Sequence, residues 1–147
     1  MEAQTWQPPE YKVRFAVRAD QLGQVVPWGL RLLGIPEIHK KTKGEGQLVA
    51  VLDTGIDRSH PDMLGAIDDR SRDFTRSQYG LEDRQGHGTH TAGTIGSRDN
   101  GQGILGIAPE CRLLICKVLG DDGTGSGDEI AAGIRHAMAC GAKILNM

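Results

Sequence analysis

Gln47-Leu48-Val49-Ala50-Val51-Leu52-Asp53-Thr54-Gly55 is a continuous apolar run that stops at a carboxylate and a Thr-Gly turn. A run with no polar alternation reads as a strand buried on both faces, the signature of a parallel sheet. Two more such runs follow, Leu113-Leu114-Ile115-Cys116-Lys117-Val118-Leu119 and Ala142-Lys143-Ile144-Leu145-Asn146-Met147. Between them Ile130, Ala131, Ile134, Ala137 and Met138 recur at helical spacing over 128–140. Asp128 and Glu129 suit the positive end of that helix. The pattern is a β-α-β unit, so the expected fold class is α/β with a mostly parallel sheet. Asp53 then lies at the carboxyl end of its strand, the edge at which sites form in open α/β sheets.

Outward from this strand the signals are shorter. Residues 89–95 are small and helix-compatible, suited to close packing on a sheet. Residues 24–43 carry a short helical stretch, with Pro36 at its N1 position and Gly44 and Gly46 ending it. Residues 1–23 are polar, contain Pro8-Pro9 and read as an extension, with a short strand expected at 11–17. The third apolar run is cut at its start by Met147. Its ladder would be incomplete, so the chain is read as a fragment or truncated product.

The chain has 147 residues, 38% hydrophobic and 24% charged, which is one domain of ordinary soluble balance. A net charge of −2 without a basic stripe speaks against a nucleic-acid partner. No apolar stretch reaches the length of a membrane span, and the amino terminus lacks a signal-peptide pattern. Cys111, Cys116 and Cys140 are an odd set, with Cys116 inside an apolar run. They read as reduced thiols of an intracellular protein.

Two short motifs carry chemistry. Asp53 can orient a histidine through one ring nitrogen; taken alone, Asp53-Thr54-Gly55 is equally a strand-to-turn junction. His87 stands between Gly86 and Gly88 in Gly86-His87-Gly88-Thr89-His90-Thr91-Ala92-Gly93, where an imidazole stays accessible as a general base. His90, three residues on, is expected to pack inward. A zinc pair is disfavoured, since helical zinc histidines are spaced i, i+4. Asp-Thr-Gly also suits an aspartic protease, which needs a second aspartate sharing the proton, and no second Asp-Thr-Gly exists. Ser59, Ser71, Ser77, Ser97 and Ser126 all lack a nucleophile-like context.

Together the two motifs resemble those of the subtilisin-like serine proteases, the subtilases. Ser59-His60-Pro61-Asp62, Gly106-Ile107-Ala108-Pro109, Gly125-Ser126-Gly127 and Ile144-Leu145-Asn146-Met147 extend the resemblance over residues 24–147. It implies a three-layer α/β/α sandwich, incomplete at its C-terminal side. It implies Asp53 and His87 as two members of an Asp-His-Ser triad, with the serine and an oxyanion asparagine expected beyond Met147. It implies Gly125, Ser126 and Gly127 as an extended edge that pairs with polypeptide substrates. The competing reading of that segment is a glycine loop with Ser126 or Asp128 capping the next helix. A calcium site is implied at Gln24, Asp62 and the loop of Arg98, Asn100, Gln102 and Ile104, the last residues lending carbonyl or side-chain oxygens. The short extension 1–23 resembles the blocking segments of intracellular relatives, which implies a cytoplasmic enzyme; the competing reading is a plain tail. The alternative is a truncated, non-catalytic peptide-binding module.

Overall fold

A computed structural model describes residues 23–147. The strand expected at 11–17 and nearly all of the extension lie outside the described residues. Four parallel strands form one sheet: β1 Leu48–Asp53, β2 Arg72–Asp73, β3 Arg112–Lys117 and β4 Ile144–Asn146, in the order β2-β3-β1-β4. The register sets Leu48 beside Arg112 and Asp53 beside Lys117, so β1 and β3 end level. The β3–β4 connection crosses over β1 and carries α4, Gly127–Ala139.

The apolar run of β1 divides by side-chain alternation into two cores. Val49 and Val51 face Ile56, Met63, Ala92, Leu113 and Ile115. Ala50 and Leu52 face Leu114, Cys116, Val118 and Ala137. Ala92 belongs to α3, His87–Gly96, and Ala137 to α4. One helix therefore covers each face, and the architecture is the expected α/β/α sandwich. All three cysteines are free thiols, two of them buried, and burial pushes the Cys116 thiol up to about 12. None of the described helices is long and apolar enough to cross a membrane.

Small residues set how closely each helix approaches the sheet. On α3 the inward stripe is Gly88, Ala92 and Gly96, at i, i+4 and i+8. A side chain at Gly96 would press on Leu113 at 3.0–3.2 Å. On α4 the corresponding residues are Gly133 and Ala137. The stretch at 24–43 forms two short helices, α1 Trp28–Leu32 and α2 Ile35–His39, not one. Gly34 adopts φ 69° between them, a left-handed conformation that stops α1, and Pro36 is the second residue of α2, one place after the N1 position expected of it.

Gly133 provides a test of this packing. Alanine is worth about 1 kcal/mol more than glycine in an open helix. A Cβ here would strike Val118 Cγ1 and come within 3.6 Å of both Leu52 and Cys116. Overpacking costs about 1–3 kcal/mol, so Gly133→Ala is expected to lower stability on balance. Urea unfolding measures it, and a stabilised variant would show that α4 is not seated against β3 as described.

Candidate active site

Asp53 ends β1 and is 4% exposed. A charge so buried needs donors. It has two: the backbone N–H of Thr54 at 2.7 Å, and Nδ1 of His87 at 2.8 and 2.9 Å from the two carboxylate oxygens. The carboxylate can only accept, so Nδ1 carries the proton and neutral His87 keeps a lone pair on Nε2. Nε2 has no hydrogen-bond partner among the described residues, and the side chain is 62% exposed. The hydrogen bond that Nδ1 donates to Asp53, reinforced by the charge of Asp53 and more weakly by that of Asp83, raises the His87 pKa above its ordinary value. An oriented, accessible imidazole with a buried carboxylate behind it is a general base in waiting. The same contact opposes the aspartic-protease reading, because Asp53 faces an imidazole where that chemistry needs a second carboxylate.

The first turn of α3 explains how His87 reaches its place. Its N-cap, Gly86 (φ 93°), has no side chain to satisfy the free N–H groups. Each finds a partner elsewhere. His87 N–H donates to Gln85 Oε1 at 2.9 Å, Gly88 N–H to Thr54 Oγ1 at 2.9 Å, and Thr89 N–H to Asp83 Oδ2 at 2.8 Å. Thr54 Oγ1 in turn donates to Asp83 Oδ1 at 2.8 Å. Gly88 must be glycine, since a Cβ would overlap the Gly55 carbonyl oxygen and sit 3.1 Å from Thr54 Oγ1. Asp83 was not singled out in the sequence reading. The available signal was an acid four residues ahead of His87, near the start of an expected helix.

His90 corrects an expectation. It is exposed on the outer side of α3 and lines an open cleft of about 620 Å³ with Leu30, Met63 and Thr94. The inward positions are already used by Gly88, Ala92 and Gly96, and a residue two places from Gly88 points roughly 200° away.

Ser126 is the N-cap of α4 in a full capping box. Its hydroxyl accepts from Glu129 N–H at 3.3 Å, and its own N–H donates to Glu129 Oε2 at 2.7 Å. Gly127 is the first helical residue, so the extended piece of Gly125-Ser126-Gly127 ends at Ser126, and residues 124–128 are exposed.

Gln24, Asp62 and the loop after α3 do meet. Gln24 Nε2 donates to the Arg98 carbonyl at 2.7 Å, and Gln24 N–H to the Gly101 carbonyl at 3.1 Å. Ile104 N–H donates to Asp62 Oδ2 at 3.0 Å. Asn100 Nδ2 reaches the Pro61 carbonyl at 3.4 Å, and Gln102 N–H donates to Asn100 Oδ1 at 3.1 Å. Gly103, at φ 63°, lies against Asp62, where any Cβ would collide with the carboxylate. Asp62 is 4% exposed and has no ion-pair partner among the described residues. The buried Asp62 carboxylate, without a cation among the described residues, and the side-chain and carbonyl oxygens of the adjoining 98–104 loop are oxygen donors of the kind calcium takes. No group of three His, Cys, Asp or Glu side chains able to hold a metal occurs among the described residues, so a site here would depend on neutral oxygens.

The raised His87 pKa has a defined consequence. A group whose pKa is higher in the folded state adds stability below its ordinary value, here 6.5, and loses it as pH rises through the folded value. The stability gap between the wild-type chain and Asp53→Asn is therefore expected to be larger near about pH 5 than near about pH 9. Proton NMR of the His87 ring should show its pKa falling toward the ordinary value in the variant. An unchanged titration would mean that the pair does not form.

The subtilase family model matches residues 44–147. An intracellular serine protease of Paenibacillus polymyxa is 40% identical over 135 residues, covering 89% of this chain and 41% of that protein. The major intracellular serine protease of Bacillus subtilis (strain 168) is 44% identical over 128 residues, covering 83% and 40%. A subtilisin of Bacillus sp. (strain TA39) is 42% identical over 120 residues, covering 78% and 28%. The chain spans less than half the length of each of these relatives. With a parallel sheet carrying Asp53 at its edge, a facing His87, and this extent of match, the chain belongs to the subtilase family.

Proposed function

We propose that residues 24–147 are the N-terminal portion of the catalytic domain of a subtilisin-type serine endopeptidase, preceded by an extension at 1–23. The observation that carries this reading is the Asp53–His87 pair, oriented for proton transfer at Nε2. A serine and an oxyanion asparagine from sequence beyond Met147 complete the machinery. His87 Nε2 takes the serine proton as the hydroxyl oxygen attacks the peptide carbonyl, and later gives that proton to the leaving amine. Asp53 holds the ring through Nδ1 and stabilises the imidazolium formed in between. The oxyanion asparagine donates a hydrogen bond to the developing negative oxygen.

The exposure of residues 124–128 supports a role for Gly125, Ser126 and Gly127 as the edge on which an extended polypeptide substrate pairs. Calcium belongs to the same proposal as a structural ion. Gln24, Asp62 and Asn100 would hold it with the carbonyls of Arg98, Gln102 and Ile104, and its chemistry there is to neutralise the buried Asp62 and stiffen the loop. The extension 1–23 is proposed to block the site. A cytoplasmic setting is supported by the names of the intracellular relatives.

Two experiments test these points. Intact mass spectrometry of the native protein, with fluorophosphonate labelling, should find a species longer than 147 residues that is labelled on a serine. His87→Ala in that species should lose most of its turnover; subtilisin itself drops by about 10⁶-fold in kcat when its triad histidine is removed. A native product ending at Met147 that takes no label but binds peptides would replace the protease by the binding module. Calcium at about 100 times its dissociation constant should stabilise the wild-type protein by about 2.7 kcal/mol. The shift should vanish in Asp62→Asn, as read by thermal unfolding with and without chelator; equal shifts in both would sink the site.

A further inference from the structure

Between the end of β1 and the start of α3 lies a side chain that touches both, Asp83. Its two carboxylate oxygens accept five hydrogen bonds. Thr54 Oγ1, Gln85 N–H and Gly86 N–H reach Oδ1 at 2.8, 3.1 and 2.8 Å. Thr89 N–H and Thr89 Oγ1 reach Oδ2 at 2.8 and 2.7 Å. Thr54 directly follows Asp53, and Thr89 lies two residues after His87. The same carboxylate thus grips the backbone neighbours of both members of the pair.

We propose that Asp83 is a positioning residue, which sets His87 against Asp53 by tying the end of β1, the approach loop and the first turn of α3 into one unit. The proposal rests on the reading of Asp53 and His87 as a catalytic pair. Asp83 touches neither the imidazole nor the substrate edge in any described hydrogen bond, so it acts through Thr54 and Thr89. Its own place is fixed from behind. The carbonyl of Glu82 accepts from Lys117 Nζ at 2.8 Å, and the carbonyl of Leu81 accepts from Ile56 N–H at 2.9 Å. Lys117 is fully buried at the end of β3, level with Asp53, and its ammonium also meets Asp121 at 2.7 Å. Burial pushes Asp83 up, but the bonds from Thr89, Gly86 and Thr54 outweigh it and hold its carboxyl at about 2. It is therefore an anion at any pH at which His87 works, placed where the helix start favours negative charge.

A helix anchor alone would affect stability and nothing else. A positioning residue also controls how firmly the imidazole is held, and that can be read separately. In the 147-residue chain with ¹⁵N-labelled histidine, the proton on His87 Nδ1 should give a protected NMR signal through its bond to Asp53. Asp83→Asn removes the charge and turns an amide N–H₂ toward donors. Thr54→Val unhooks Asp83 from the strand and also removes the acceptor of Gly88 N–H, while leaving Asp83 its own loop and helix bonds. In either variant, with amide dispersion retained, exchange of the Nδ1 proton with water is expected to rise by roughly tenfold or more, the factor for losing one hydrogen bond to a charged group. A signal with wild-type exchange in a folded variant overturns the proposal. So does loss of folding in both variants, which would leave Asp83 a structural role alone. Absence of the signal in the folded wild-type chain would instead overturn the Asp53–His87 pairing itself, and the positioning role with it.

Discussion

The close approach of α3 to the end of β1 is the constraint on which the site depends. A buried carboxylate at a strand end stays charged only where donors converge on it, and the imidazole can be one of them only if the helix carrying it starts within hydrogen-bond reach. Gly88 permits this, because its missing side chain leaves room for the Gly55 carbonyl and for Thr54 Oγ1. Once the backbones are this close, the N–H groups of Gly88 and Thr89 are drawn away from water and must be satisfied by the protein. Thr54, Gln85 and Asp83 do so. One steric requirement thus generates the hydrogen-bond lattice that places the catalytic candidates.

Lys117 shows how far this lattice extends. A lysine without any exposed surface is rare and must be paired. Its ammonium links the end of β3, the loop leading to Asp83 and the turn at 120–124 that precedes the exposed segment 124–128. Asp121 is itself held by Ser77 at 2.8 Å, and the bonds from Lys117 and Ser77 lower its pKa. The general-base candidate and the proposed substrate edge therefore rest on the two sides of one buried cation. Replacing it by an apolar residue would leave the Glu82 carbonyl without its side-chain donor and the Asp121 carboxylate with Ser77 alone, so the cost would fall on both loops together.

What the sequence disclosed and what it hid follow from the range of the interactions. Apolar runs without alternation identified β1 and β3 within a residue or two, because burial on both faces is written into each position. Asp53 and His87 stood out because glycines and a strand end surround them. The corner formed by Gln24, Asp62 and the 98–104 loop was legible only through resemblance, since its contacts join residues up to 77 positions apart. His90 was misjudged because the inward stripe of α3 consists of glycine and alanine, which carry almost no hydrophobic signal. Asp83 and Lys117 look like ordinary surface charges in one dimension. Their roles arise from the level ending of two strands and a returning loop, which local patterning does not record.

The two ends of α3 also differ in charge in a way that its dipole favours. At the N-terminus Asp83 supplies an anion and takes a backbone N–H from the first turn. Beyond the C-cap, Ser97, comes Arg98, whose guanidinium donates to the carbonyls of Gly65, Pro109 and Cys111 and meets no carboxylate among the described residues. Burial lowers its pKa and outweighs the charge of Glu110, which raises it. Positive charge is favoured there by the helix end, and Arg98 N–H also donates to the main-chain carbonyl of Asp62 at 3.0 Å. The helix that carries His87 thus has an anion at its start and a cation past its end, each at the end where its dipole favours that charge.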